Sequence, residues 1–106
     1  MPTFYRIVRT DPPAESDFLS YAALGLPAPD DPGLRRVFDG ISVFDTEERA
    51  RRRARATLAL GRFIAAVEIA TGDPIRAERT LRRSGHHTLW GDPVALLERV
   101  ASVVPV

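Results

Sequence analysis

Residues 40–69, GISVFDTEERARRRARATLALGRFIAAVEI, decide how this chain folds. The stretch opens with apolar side chains around one serine, a pattern typical of a strand. An acidic start at Asp45 then begins an arginine- and alanine-rich helix, and Gly61 fits the position just past its end. From Arg62 onward both alternating faces are largely apolar, which predicts a second strand covered on both sides. The stretch therefore has the outline of a βαβ unit.

The helix in this stretch has clear signals at both ends. With Asp45 as N-cap, Glu48 falls at N3 and completes a pair resembling a capping box. The helix is predicted to end near Leu60. Its apolar stripe is thin and contains small residues such as Ala50 and Ala54. Such a stripe fits close packing on a sheet and, as an alternative, contact with a second subunit.

The flanking segments supply further elements. Residues 3–9 alternate with period two and predict a strand, whereas residues 15–24 have the i, i+3, i+4 spacing of a short helix. Residues 75–81 predict another strand, which forms a hairpin with the strand before it. Asp92 followed by proline predicts the start of a short helix near Val94, and the tail from Arg99 to Val106 alternates weakly as a last strand.

These elements predict a single α+β domain over residues 1–106. Its small twisted sheet has about five strands, with helices at 15–24 and 45–60 and the short helix near Val94. Residues 82–90 are predicted to be irregular. The predicted core comprises Tyr5, Ile7, Phe18, Tyr21, Ile41, Val43, Phe44, Ala54, Leu58, Phe63, Ile64, Val67, Ile69, Leu89, Trp90, Leu96, Leu97 and Val100.

The composition is that of an ordinary globular protein. Apolar residues make up 44% of the 106 residues and charged residues 27%, and no run is long enough for a membrane helix. Disulfides and thiolate metal sites are excluded because cysteine is absent. The net charge of +1 favours neither nucleic acid nor anionic lipid. We expect a cytoplasmic protein, and the richness in alanine, proline and arginine is typical of a GC-rich, bacterial genome.

The arginines of the central helix have two interpretations. At about 100° per residue, Arg49, Arg52 and Arg53 fall opposite the alanine stripe. They form either a solvated face or a patch that binds phosphate groups. Since no aromatic residues interleave with them, nucleic-acid binding is the weaker alternative.

A second candidate site lies near the C-terminal end. His86, His87 and Trp90 occur within five residues, and histidine can act as acid, base or ligand near neutral pH. One interpretation is a ligand pocket lined by these three residues. The other is that Trp90 fills the core while a histidine bonds a backbone carbonyl. No metal site is predicted, because adjacent histidines on a strand point apart.

Three further positions carry a resemblance at the level of the fold. Arg6 lies midway along the first strand, Ser42 lies in the second, and Glu78 lies on a later one. In this the chain resembles compact ADP-ribosyltransferases. The resemblance implies that Arg6 binds a nucleotide, that Ser42 and Glu78 belong to the catalytic site and that NAD is the cofactor. It also requires Arg6 and Glu78 to line one cleft.

The sequence leaves the function open between these classes. We expect a ligand-binding or protein-interaction module without complete catalytic machinery, whose partner is a protein or a small nucleotide. The alternative is an enzyme of the ADP-ribosyltransferase type, so whether the chain is catalytic stays undecided. A homodimer is a further alternative, through the alanine stripe or the apolar tail at residues 103–106.

Overall fold

The computed structural model describes residues 2–81 and 85–106 of the chain. Over these residues the chain is α+β, as predicted, with one antiparallel sheet of six strands where about five were expected. The strands are β1 (Thr3–Val8), β2 (Ile41–Phe44), β3 (Phe63–Glu68), β4 (Arg76–Leu81), β5 (His86–Trp90) and β6 (Val100–Pro105). The helices are α1 (Pro32–Val37), α2 (Glu47–Ala56) and α3 (Pro93–Glu98), with 3-10 helices at Glu15–Phe18 and Leu58–Leu60.

The strand order is β4-β5-β2-β1-β3-β6, and each neighbouring pair is antiparallel. Since β2 and β3 both run antiparallel to β1, they run parallel to each other with β1 between them. The predicted βαβ unit therefore exists in a split form, in which its two strands do not pair. The inserted β1 is the central strand that both halves of the sheet share.

Helix α2 covers one face of the sheet, which we call the α2 face. Ala50 and Ala54 have no exposed surface and pack with Ile7, Phe44 and Ile64. A side chain larger than alanine would hold the helix away from the strands. The alanine stripe therefore packs against the chain's own sheet, not against a second subunit.

The opposite face, called the α3 face, carries the larger part of the core. Phe18 from the first 3-10 helix and Leu96 from α3 are both buried there. They cover Val8, Val43 and Leu89, each of which is fully enclosed. The predicted cap of α3 is confirmed, because the Asp92 carboxylate accepts a hydrogen bond from the backbone N–H of Val94.

Helix α2 differs from its predicted bounds at both ends. Thr46, not Asp45, is the N-cap, and its hydroxyl accepts a hydrogen bond from the backbone N–H of Arg49 at 3.2 Å. Asp45 instead forms an ion pair with the Arg49 side chain at 3.2 Å. The helix ends at Ala56, and Leu58, which was predicted in the core, is 77% exposed.

The predicted helix at residues 15–24 is wrong beyond its first turn. Only Glu15–Phe18 is helical, as a 3-10 helix, and the Ser20 hydroxyl then accepts a hydrogen bond from the backbone N–H of Ala23. Side chain to backbone bonds of this kind compete with the helical pattern. Phe18 of the periodic apolar pattern is buried, but Tyr21, also expected in the core, is 61% exposed, so the pattern beyond Phe18 does not pack against the core.

The predicted strand pairing at the end of β3 is also wrong. Strand β4 pairs with β5 and not with β3. The edge of β3 that faces away from β1 pairs with β6. The segment expected to be irregular contains β5 at His86–Trp90, whereas residues 82–84 lie outside the described residues. The turn between β3 and β4 favoured a prediction that these two strands form a hairpin, but β6 takes the place beside β3 that the hairpin would need.

We expect Asp73→Asn to make the fold less sensitive to acid. The Asp73 carboxylate accepts hydrogen bonds from the Arg99 guanidinium at 2.9 Å and from the backbone N–H of Ala70 at 2.6 Å. These two bonds lower the pKa of Asp73, and the bond from Arg99 has the larger effect. The stability they contribute is thus present above the unfolded-state pKa of about 3.9 and is lost as the pH falls through the folded-state value.

The measurement is the urea midpoint as a function of pH below about 5. The midpoint of the wild type should fall more steeply than that of Asp73→Asn. Asp30→Asn is the control, because the Asp30 carboxylate has no partner among the described residues. Parallel curves for the wild type and Asp73→Asn would contradict the assignment.

Candidate ligand-binding groove

A groove lies on the α2 face, over the half of the sheet that α2 leaves uncovered. Helix α1 and the residues after it are held over β4 and β5 by two polar contacts. The Arg36 guanidinium forms an ion pair with Glu78 at 2.7 Å, and the Trp90 indole N–H donates to the Asp39 carboxylate at 2.8 Å. These contacts fix one wall of the groove against the sheet.

The strand register collects the polar floor of the groove. Ser42 on β2 lies opposite Thr88 on β5, and Thr88 lies opposite Glu78 on β4. Because side chains alternate along a strand, His86 and Thr80 share this face with them. The Thr80 hydroxyl forms hydrogen bonds with Nδ1 of His86 at 2.6 Å and with the Thr88 hydroxyl at 3.0 Å.

One part of the groove, which we call the apolar slot, has a volume of about 890 Å³. Ser42, Thr80, His86 and Thr88 form its polar floor. Its apolar lining comprises Tyr21, Leu26, Pro27, Pro29, Leu34, Val37, Phe38 and Ile41. Small-molecule sites typically combine such a lining with a few convergent polar groups.

The other part, which we call the arginine cleft, has a volume of about 570 Å³ and contains Arg6, Arg9 and Arg53. None of these three guanidinium groups forms an ion pair within the described residues. The slot and the cleft adjoin each other, since both are lined by a shared set of residues, Tyr21, Gly40, Ile41, Ser42 and His86.

Arg6 holds the two halves of the sheet together. Strands β1 and β2 share one aligned pair, Tyr5 with Phe44, and the Arg6 guanidinium bridges the strands beyond it. Its Nε donates to the backbone carbonyl of Asp17 at 3.0 Å, and one terminal nitrogen donates to the carbonyl of Ser42 at 2.8 Å. Burial lowers the pKa of Arg6, although the Asp17 charge opposes this. The remaining N–H groups of Arg6 make no hydrogen bond within the described residues.

The convergence of Arg6 with Glu78 that the resemblance requires is not found. The alternation of β1 places Arg6 with Phe4 and Val8 on the α3 face, and its guanidinium reaches the groove only between the strands. Glu78 lies on the α2 face at the edge of the sheet, paired with Arg36. The two side chains therefore start from opposite faces.

His86 lies where the apolar slot meets the arginine cleft. Its ring contacts Phe44 edge-on, with 5.7 Å between the ring centres. Burial lowers the pKa of His86, and the charges of His87, Arg53 and Arg6 lower it further. The imidazole is therefore neutral at about pH 7, with Nδ1 held by Thr80 and Nε2 available to a ligand.

The other two candidates of this segment lie outside the groove lining. His87 points to the α3 face, contacts the Phe4 ring at 5.0 Å and donates from Nδ1 to the Gly85 carbonyl at 3.0 Å. The predicted bond from a histidine to a backbone carbonyl is thus found at His87. Trp90 does not fill the core: it is half-buried at the edge of the α2 face, and the Arg76 guanidinium lies 4.1 Å from its ring centre.

The arginines of α2 do not form one free basic surface. Arg49 pairs with Asp45, and Arg52 pairs with Glu48 at 3.3 Å. Arg53 instead lines the arginine cleft and donates to the Thr57 hydroxyl at 3.1 Å. The phosphate-binding interpretation named Arg53 together with Arg49 and Arg52, but a helical wheel could not show that the tertiary fold brings the groove alongside Arg53 and not the other two.

Compared with models of protein families, with curated proteins and with solved structures, the chain matches none of them. In the part of the chain that the structure describes, no helix has the length and hydropathy needed to cross a membrane. Nor do the described residues contain a cluster of three or more side chains suited to hold a metal ion. The function is therefore inferred from the geometry of the groove.

Proposed function

We propose that this chain binds an anionic small molecule that carries a flat apolar group, as a nucleotide does. The observation that carries the proposal is that the apolar slot adjoins the arginine cleft. Ser42 and His86 line both parts, so one ligand can place a ring in the first and a negative charge in the second. A protein of this kind needs no catalytic group.

The apolar slot suits a planar ring. Val37 and Phe38, at the end of helix α1, and Pro27 and Pro29, from the loop before it, contribute to its apolar lining. Proline rings hold their backbone in a narrow conformational range, so this wall loses little entropy when a ligand enters. The hydroxyls and imidazole of the floor supply the directional contacts.

The arginine cleft suits a phosphate or another oxyanion. A cation that is removed from water without a carboxylate partner is costly, and Arg6 bonds two neutral carbonyls. An anion beside Arg6 would accept from its remaining N–H groups in the planar geometry that guanidinium favours. Arg53 and Arg9 border the same space and would add charge without a new conformation of the backbone.

The proposal is tested by calorimetric titration with NAD, AMP and adenosine. NAD and AMP should bind and adenosine should bind much more weakly, since it lacks the phosphate. Arg53→Ala should weaken AMP binding about tenfold, the effect of losing one charged hydrogen bond. The matched control is Arg52→Ala, because Arg52 belongs to the same helix but pairs with Glu48.

Two results would contradict this function. One is the absence of heat with all three probes from a protein that circular dichroism shows to be folded. The other is an equal loss of affinity in Arg52→Ala and Arg53→Ala, which would indicate a diffuse charge effect instead of a site.

A second candidate function is that of an ADP-ribosyltransferase-like enzyme. It is favoured by one observation: Ser42 and Glu78 lie on the same face, on either side of Thr88. This function would also need an arrangement other than the convergence of Arg6 with Glu78, because the two side chains start from opposite faces, and Glu78 would have to leave Arg36 to reach a ribose in the groove. Release of nicotinamide from NAD that is lost in Glu78→Gln would support the enzyme, whereas binding of NAD without turnover would favour the ligand-binding function.

A further inference from the structure

His86 lies between the two chemically different parts of the groove. Its Nδ1 is 2.6 Å from the Thr80 hydroxyl, and the Phe44 ring packs against it. These contacts fix the ring plane. Since the described residues offer Nε2 no partner, this nitrogen remains for a ligand that spans the slot and the cleft.

The hydroxyl chain behind His86 accepts both protonation states of the ring. When the imidazole is neutral, the Thr80 hydroxyl can donate to Nδ1. When it is charged, Nδ1–H donates to Thr80, which in turn donates to the Thr88 hydroxyl 3.0 Å away. Protonation therefore reverses the direction of the bonds but breaks none of them.

Two guanidinium groups border the same cleft as His86: that of Arg6 on β1 and that of Arg53 on α2. The nearby carboxylates have other partners. That of Glu78 pairs with Arg36 and that of Asp45 with Arg49. The carboxylates of Asp17 and Asp31 accept hydrogen bonds from backbone N–H groups. The empty groove therefore disfavours a charge on the imidazole.

We infer that His86 makes ligand binding in this groove proton-linked, with the protonated imidazole acting as an additional cation of the anion site. This inference rests on the proposed function. An anion held by Arg6 and Arg53 offsets the charges that oppose protonation of the ring. By linkage, a ligand that favours the protonated ring binds more tightly as the pH falls.

The direction and the range of the effect follow from this linkage. A bound anion raises the pKa of His86 from its depressed value. The affinity therefore increases as the pH falls below the pKa of His86 in the ligand-bound protein. It becomes constant once the pH lies below the pKa of His86 in the ligand-free protein. Between these two values the dissociation constant changes by at most about tenfold per pH unit, as for the uptake of one proton.

The test is calorimetric titration with NAD at a series of pH values from about 5 to about 8. NAD is the probe because its pyrophosphate stays fully ionised over this range. The wild type should bind more tightly at the acid end, and His86→Gln, which keeps a polar side chain of similar reach, should show the same affinity throughout. The matched control is His87→Gln, which removes the neighbouring histidine on the opposite face and should retain the pH dependence of the wild type.

A spectroscopic measurement on the wild type makes the test independent of the variants. The imidazole signals of His86 are followed by NMR against pH, with and without saturating NAD, and those of His87 on the opposite face serve as the internal reference. The His86 midpoint should move to higher pH when NAD is bound.

The outcomes separate the two claims. Binding of NAD with the same affinity at every pH, or with an unchanged His86 midpoint, would overturn the proton linkage and leave the binding function intact. No binding at any pH would overturn the proposed function together with the inference that rests on it.

Discussion

Gly61→Ala is expected to lower the free energy of unfolding by roughly 3 kcal/mol or more, or to prevent folding. Gly61 has φ 152° and ψ 170°, a region of the backbone map that is essentially open to glycine alone. A Cβ at this position would also overlap the backbone carbonyl of Val8. Because the obstacle is backbone in the central strand β1, it cannot move aside as a flexible side chain would.

Gly72→Ala is the matched control. Gly72 also has a positive φ, 92°, but a Cβ there would meet nothing within 4 Å. It should therefore cost only the conformational penalty of about 1–2 kcal/mol. The measurement is urea unfolding followed by circular dichroism, with the slope compared to confirm that both variants unfold in the same way. Equal losses in the two variants would show that the close approach to Val8 contributes nothing.

The neighbourhood of Gly61 shows both the strength and the limit of local prediction. The apolar alternation after Gly61 correctly identifies β3, but α2 ends at Ala56, and Gly61 follows a separate 3-10 helix instead of ending α2. The strand β1 between β2 and β3 is a different matter. Its position depends on pairing with strands that are far away in the sequence, and a local pattern of residues gives no information about such pairing. The predicted elements were therefore largely right while the predicted hairpin of β4 was wrong.

Strand β5 was missed because its polar residues obscured it. His86, His87 and Thr88 suggested a functional loop, although the Thr-Leu-Trp sequence that follows has the β-branched and aromatic character of a strand. Both faces of this strand are used, one in the groove and one in the core. A search by β-propensity, instead of by alternation of polar and apolar residues, would have favoured a strand here.

The candidate site was predictable in part. Alternation allowed Ser42 and Glu78 to share a face, but only the register of β2, β5 and β4 brings them to either side of Thr88. Thr80 was passed over because an isolated threonine on a strand carries no chemical signal. Its importance comes from its distance to His86, a property of the folded chain.

Arg6→Met and Arg6→Lys are expected to separate the structural role of Arg6 from its role in binding. Methionine removes the donors to the carbonyls of Asp17 and Ser42, and the bond to Asp17 is partly buried, so its carbonyl loses its partner at about 1–3 kcal/mol, whereas the Ser42 carbonyl is exposed and can bond water. The loss of a desolvated cation offsets part of this, so we expect a net destabilisation of about 2 kcal/mol in urea unfolding. Lysine keeps the charge but lacks the planar fork that bridges both carbonyls, and its stability should fall by a similar amount.

Binding should distinguish the two variants, because lysine keeps the charge that attracts the anion and loses only the planar arrangement of the donors. The affinity for AMP should fall more than about tenfold in Arg6→Met and by only a few-fold in Arg6→Lys, measured by calorimetry well below the unfolding transition of each variant. Arg9→Met, at the exposed rim of the cleft, serves as the control and should keep its stability. If Arg6→Met were destabilised but bound AMP like the wild type, Arg6 would only join the strands, and the anion would have to lie elsewhere in the groove. Stability and affinity lost together in Arg6→Met, with affinity largely retained in Arg6→Lys, would mean that one guanidinium both closes the gap between β1 and β2 and supplies the charge of the site.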